Sequence, residues 1–167
     1  MPADALAYFD VGREPEVARY TSWAPHASPD ESRAVVGRWV EGYHQGRVTP
    51  WAVVHTGEAR LIGTCGFLTW VPQQGRAEIA YALHRGYWNR GYATEAVRAV
   101  LAFGFATMDL VRIQATCKVA NPASARVMEK AGMVYEGTLR ACLFNKGEYH
   151  DLQMWAVLRQ DWPFNAR

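Results

Sequence analysis

The sequence predicts an α/β chain of the α+β kind, a mostly antiparallel sheet flanked by helices. Three observations predict it. Helix-like and strand-like segments follow the order ααβββαβαββ, which fits neither a doubly wound sheet nor a barrel. Three successive strand-like runs have short links, which implies an antiparallel meander. The 167 residues are 50% apolar and 20% charged, the make-up of a globular protein with a sizeable core. No repeat, linker or low-complexity stretch divides the chain, so one domain spanning 1–167 is expected.

Each element has its own signal. The stretch from about Ala3 to His44 reads as helical. Within it, Ser28-Pro29-Asp30-Glu31 supplies a cap, a proline at the first helical position and an acidic third residue. Val35, Val36, Trp39, Val40 and Tyr43 then recur on one face. The preceding loop, YTSWAPHASPD, is rich in turn formers and aromatics. WAVVHT and ARLIGTCGFLTWV read as strands joined at Gly57-Glu58, and RAEIAYAL as a third strand after VPQQG. A helix follows in YWNRGYATEAVRAVLAFGFATM, with Val97, Val100, Leu101, Gly104, Phe105 and Met108 on a sheet-facing stripe. VRIQATCKV is a strand and NPASARVMEKAG a short helix, with Asn121 at the cap, Pro122 at the first position and Gly132 at the exit. MVYEGTLRACLF and YHDLQMWAVL form a closing hairpin around Asn145-Lys146-Gly147.

Composition removes several function classes. Net charge is +2 and the basic residues form no run, so nucleic acid is not an expected partner. No apolar run is long enough to span a membrane, and MPADALAYFDVGREPE is too polar for a signal peptide, so no membrane contact and a cytoplasmic location are expected. Cys65, Cys117 and Cys142 are odd in number, far apart and flanked by strand-like residues. They read as buried thiols in a reducing compartment. No Cys/His cluster has metal-ligand spacing, so no metal is expected.

The most informative segment is Asn89-Arg90-Gly91-Tyr92-Ala93-Thr94, between the strand RAEIAYAL and the long helix. Bare N–H groups at a helix start, with small residues beside them, can converge on phosphate oxygens. An ordinary tight turn is the plain alternative. The segment is neither a P-loop nor a Gly-x-Gly-x-x-Gly dinucleotide fingerprint.

Trp88-Asn89-Arg90-Gly91-Tyr92-Ala93 resembles the acetyl-CoA pyrophosphate loop of the GNAT N-acetyltransferase superfamily, [Gln/Arg]-x-x-Gly-x-[Gly/Ala], with Trp88 departing at the first position. That departure, with AEIAYAL, VRIQATCKVANPASARVMEKAGM, YEGTLR and GEYHD in order, resembles the Rim-type branch, the ribosomal-protein N-terminal acetyltransferases and their relatives. The resemblance runs from about Trp51 to Leu158, with a weaker stretch from Glu14 to Val36. It implies a GNAT fold whose sheet splays between RAEIAYAL and VRIQATCKV, and whose first strand is short or missing here. A homodimer through an uncovered sheet edge is then possible.

The resemblance also implies residue roles. Asn89, Arg90, Gly91, Tyr92, Ala93 and Thr94 would bind the coenzyme diphosphate. Backbone groups of Tyr81, Ala82 and Leu83 would pair with the pantetheine arm, as a ligand added to a strand edge. Asn121 and Ser124 would contact the cofactor, and Ser124 would also serve catalysis at the departing sulfur; helix capping is the plain reading for both. Relatives carry a Tyr seven residues after the Asn, where this chain has Met128, and some carry a carboxylate at the position of Thr116. Glu78 is the candidate general base, against the alternative of a strand carboxylate paired with Arg76 or another cation. Tyr20 and Trp23 fall in the stretch that resembles the acceptor-binding loop, with His26 beside them. His84, Tyr149 and His150 read as satisfying local hydrogen bonds, and Arg140 with Asp151 as an ion pair across the last hairpin.

The implied reaction is transfer of acetyl from acetyl-CoA to a primary amine, on a protein N-terminus or a small molecule, by direct attack. Direct attack needs no nucleophilic side chain, so the absence of a Cys/His or Ser/His constellation is no objection. The competing hypotheses are a non-catalytic acyl-CoA sensor and a phosphate-binding domain unrelated to the coenzyme.

Overall fold

Three helices open the chain in the computed structural model, which describes residues 4–162. Ala3 lies outside the described residues. Helix α1 is Ala5–Gly12, α2 is Pro15–Ala18 and α3 is Pro29–His44. Pro15 and Pro29 each stand at the start of their helix, where a missing N–H costs nothing. Ser28 holds the cap position of α3 with extended backbone, but its side chain makes no cap bond. The acidic residue at the third helical position acts instead: the Ala27 N–H donates to Glu31 Oε2 at 2.9 Å.

Six strands follow: β1 Trp51–His55, β2 Arg60–Val71, β3 Arg76–Leu83, β4 Arg112–Lys118, β5 Val134–Asn145 and β6 Glu148–Leu158. Between them lie α4, Tyr92–Thr107, and α5, Pro122–Lys130. The sheet order is β1-β2-β3-β4-β6-β5. β1 pairs antiparallel with β2, and β6 pairs antiparallel with both β4 and β5. β3 runs parallel to β4 and pairs with it only at Arg76–Glu78 against Arg112–Gln114, whereas β4 pairs with β6 along its whole length. Among the described residues no strand precedes α1, and β1 is an edge strand. The turn between β1 and β2 is wider than Gly57-Glu58 and includes Ala59 at φ 48°. The last hairpin turns at Lys146-Gly147, with φ of 55° and 85°, the two positive angles that match a tight turn to strand twist.

The chain packs as two compact units. One takes in the described residues up to Gly66 together with Tyr81–Ala93; the other takes in Phe67–Ala80 and the chain from Thr94 onward. In the first, Ala5, Tyr8, Val11, Val17, Val36, Leu61 and Ala82 form the core, with Trp23, Trp39 and Val40 packed against it. Burial contributes about 1.5–3 kcal/mol for each large apolar side chain. His26 is buried here; its Nδ1 lies 2.6 Å from Ser32 Oγ and its ring meets Tyr8 edge-on. Burial holds its imidazole below the ordinary pKa.

In the second unit the α4 stripe is buried as its spacing requires, with Val97, Val100, Leu101 and Phe105 inside. So are Ile113, Ala115 and Cys117 on alternate positions of β4. A Cβ at Gly104 would meet Ile113 Cδ1 at 2.7 Å, so the helix lies very close to the strand. Two expectations need correction. Cys65 and Cys117 are buried, but Cys142 is exposed, because β5 leaves most of its side chains outside the core. Arg140 and Asp151 do not pair; Asp151 Oδ1 accepts the Ala141 N–H at 2.7 Å, where β5 breaks register and Ala141 has φ 48°.

Candidate active site

The β3–α4 connection begins with a 3₁₀ turn, Arg85–Tyr87, capped by His84, whose Nδ1 accepts from the Gly86 N–H at 3.1 Å. Asn89 then has φ 60° and Gly91 φ 89°. Asn tolerates the left-handed region, and glycine enters it without steric cost. A Cβ at Gly91 would meet nothing within 4 Å, so open space lies above this backbone. Asn89, Arg90 and Gly91 are all exposed, and α4 starts at Tyr92. Bare helix-start amides beside open space and a guanidinium fit a diphosphate group.

The β1–β2 turn holds this loop. The Glu58 N–H donates to His55 Nδ1 at 3.1 Å, which leaves His55 Nε2 to carry the hydrogen toward Tyr92 Oη, 2.9 Å away. Tyr87 Oη donates to Glu58 Oε2 at 2.5 Å, and that carboxylate raises the Tyr87 phenol above its ordinary pKa. The Arg90 guanidinium lies 5.8 Å from the centre of the Tyr87 ring. Nothing in the sequence marks His55, Glu58 and Tyr87 as a group, because they are joined only by folding.

On β3, backbone direction separates the three residues expected to meet a pantetheine arm. A Cβ on Gly63 would lie 2.2 Å from the Ala82 carbonyl oxygen, and the His84 N–H donates to the Ile62 carbonyl at 2.8 Å. Ala82 and His84 therefore direct backbone groups at β2, and alternation sends those of Tyr81 and Leu83 to the opposite edge. The Leu83 carbonyl accepts the Trp88 indole N–H at 2.8 Å. Trp88, which departs from the Gln/Arg of the resembling pattern, thus fastens the loop to its strand.

Glu78, earlier on β3, is half-buried and held by neutral donors. Thr116 Oγ1 donates to its Oε1 at 3.3 Å and Gln114 Nε2 to its Oε2 at 3.4 Å. Arg76 does not pair with it; Arg76 Nε donates to Gln74 Oε1 instead. No cation pairs with Glu78 among the described residues. Arg112 donates instead to Gln114 Oε1 at 3.3 Å and grips Glu136 with two bonds of 2.7 and 2.6 Å. That grip holds the Glu136 carboxyl below the ordinary range. The sequence does not mark Gln114, and it marks Thr116 only as a position without a carboxylate. Their spacing of two on β4 was the available signal.

The start of α5 carries Asn121 and Ser124. Asn121 Oδ1 accepts the Ser124 N–H at 3.2 Å, the capping role, while its amide N–H groups have no partner among the described residues. The Ser124 hydroxyl shares a hydrogen bond with the Cys117 thiol, whose pKa burial pushes up to about 11. The Cys117 S–H points to Gln153 Oε1, 3.7 Å away. Met128 is fully buried, so the position of the relatives' tyrosine belongs to the core.

Trp23, Tyr20 and His84 belong to the first unit. Trp23 packs on the Tyr8–Val36 core with its indole N–H buried and unpaired. Tyr20 is half-buried, with the Arg19 guanidinium 5.5 Å from its ring centre. His84 Nε2 lies 3.7 Å from Glu14 Oε1. Among the described residues no group of His, Cys, Asp or Glu is placed to hold a metal, and no helix is long and apolar enough to cross a membrane.

A family model described as an acetyltransferase (GNAT) domain matches residues 1–134. An uncharacterized N-acetyltransferase, p20 of Bacillus licheniformis, is 30% identical over 160 residues, 96% of this chain and 89% of that protein. The ribosomal-protein-serine acetyltransferase of Escherichia coli (strain K12) is 30% identical over 99 residues, 59% of this chain and 55% of that one. The crystal structure of a GNAT-family acetyltransferase from Bacillus anthracis superposes with a TM-score of 0.85 at 31% identity, covering 96% of this chain and 92% of that one.

Proposed function

The chain belongs to the GNAT acetyltransferase family, and on that premise we propose that it acetylates a primary amine, on a protein N-terminus or a small molecule, by direct attack of that amine. Acetyl-CoA supplies the acetyl group already activated as a thioester. The N–H groups from Asn89 to Thr94 hold its diphosphate, with Gly91 leaving the space for it. Tyr81 and the Leu83 N–H face the strand edge to which the amide-bearing arm is added. The homologous ribosomal-protein-serine acetyltransferase supports a protein as one acceptor class.

The observation that carries the mechanism is Glu78 between two neutral donors. An amine attacks only when neutral. An α-amino group, with pKa about 7.7–8.0, is roughly one-tenth neutral at pH 7, and a lysine-type amine, near 10.4, far less. Glu78 takes the proton through a water, and no cation competes for its oxygens. Thr116 and Gln114 fix both oxygens, so the base is oriented before the acceptor arrives. Ser124 serves the departing sulfur by exchanging its bond to Cys117 for a new one.

The test is incubation with acetyl-CoA and a panel of amines, with released thiol as the readout. Thiol release that needs both the amine and Glu78 supports the proposal. A melting temperature raised by acetyl-CoA, with no amine acetylated, would support the sensor alternative instead.

A further inference from the structure

Glu78 shares its face of the sheet with residues of three other strands, all in the second unit. In β3 it alternates with buried Ala77 and Ile79; in β4, Gln114 and Thr116 alternate with buried Ile113, Ala115 and Cys117. Gln114 and Thr116 both donate to Glu78, so the three lie on one half-exposed face. β6 continues it, because Met154 pairs with Thr116 and Leu152 with Lys118. Directly opposed antiparallel residues point to the same side, with Cβ atoms about 4.5–5.5 Å apart. Met154 therefore stands beside the threonine whose hydroxyl reaches the Glu78 carboxylate. On β5, Gly137 pairs with Met154 and Leu139 with Leu152. Met154 and Leu152 are half-buried and Leu139 is 42% exposed. A Cβ at Gly137 would meet nothing within 4 Å, so the space beside Met154 is open.

The charges that border this patch are already engaged. Arg112 grips Glu136, and Lys118 Nζ lies 3.1 Å from His150 Nε2. What lies between them, next to Thr116, is the thioether and isobutyl surface of Met154, Leu152 and Leu139. An amine that gives its proton to Glu78 brings its own substituent to this surface. An apolar substituent gains there, because both partners lose water-exposed area. A polar one gives up hydrogen bonds to water for which these side chains offer no replacement.

We propose that Met154, with Leu152 and Leu139, seats an apolar group carried close to the reacting amine and so selects apolar acceptors. This rests on the assignment of Glu78 as the base. The apolar group has two possible sources, the substituent of a free small amine or the first side chain of a peptide.

The experiment measures kcat/KM for two matched acceptor pairs of equal charge and similar shape: leucinamide against asparaginamide, and a short peptide beginning with Leu against the same peptide beginning with Asn. The wild type is expected to prefer the Leu member of at least one pair by about tenfold. The pair that responds identifies the source, and a response of both means that either source is accepted. Met154→Gln keeps the length of the side chain and should bring the ratio to within about twofold, whereas Met154→Leu, close in volume and still apolar, should keep it. The acetyl-CoA Kd should stay unchanged in both variants. If Met154→Gln does not fold, Leu139→Gln, at an exposed position, takes its place and should lower the ratio by about threefold or more. Equal use of both members by the wild type, a preference for the Asn member, or a Leu preference that survives the Gln variant would each overturn the proposal. If amines are acetylated without this discrimination, only the role of Met154 and its neighbours fails; if no amine is acetylated, the proposed function fails with it.

Discussion

Gly91 offers a direct test of the diphosphate assignment, because strain and charge can be separated there. Its φ of 89° disfavours any side chain, while the space beyond it is open. Gly91→Ala should therefore cost about 1–2 kcal/mol of stability through the backbone alone. Gly91→Asp carries the same strain and adds a charge at the start of α4, where the helix dipole returns roughly 0.3–1 kcal/mol. The Asp variant should thus be no less stable than the Ala variant. Coenzyme binding should rank them the other way. A carboxylate about 5 Å from a phosphate charge is repelled by about 3 kcal/mol at an effective dielectric of ~20, and solvent at this exposed loop reduces that to about 1–3 kcal/mol. The acetyl-CoA Kd of Gly91→Asp should therefore exceed that of Gly91→Ala by about 5- to 150-fold. Calorimetry gives both Kd values and urea unfolding gives both stabilities. If the two variants bind the coenzyme within threefold of each other, the diphosphate does not lie over Gly91 and the assignment of this loop is wrong.

Three further outcomes follow from particular contacts. Glu78→Gln should lower kcat by about 10²–10⁴ with the acetyl-CoA Kd within twofold of wild type, measured by thiol release and calorimetry; an unchanged kcat across pH removes Glu78 from the chemistry. Gly104→Ala should cost about 1–3 kcal/mol in urea unfolding, because the new methyl group meets Ile113 Cδ1 at 2.7 Å and Phe67 Cζ at 2.9 Å. Glu136 has its pKa lowered by Arg112, so its contribution to stability is present above the ordinary glutamate value, about 4.3, and is lost as pH falls through the lower folded value. The urea midpoint of wild type should exceed that of Glu136→Gln at pH 6, and the gap should close on acidification; a gap that is constant down to pH 3 would contradict the pairing.

Much of the fold was legible because its signals are local. Pro29 and Asn121 mark helix starts through chemistry confined to one turn. The α4 stripe and the alternation in β4 expose their periods within a dozen residues. The cap at Ser28 shows the margin of such signals: the position was right, but the bond was made by Glu31, a choice that depends on side-chain reach. Cys142 shows a second margin. Strand-like neighbours indicate a strand but not whether either face is covered.

The sequence by itself determined the element order, the helix starts and the place of the glycine-bearing turn at Asn89–Thr94, since dihedral preference and apolar period act over a few residues. Tertiary structure alone decided that Glu78 meets Gln114 and Thr116, that β6 lies between β4 and β5, and that Lys118 faces His150. Alternation says which residues share a face of one strand. Which strand lies alongside, and in what register, is fixed only when burial across dozens of residues offsets the entropy of closing the loops between them.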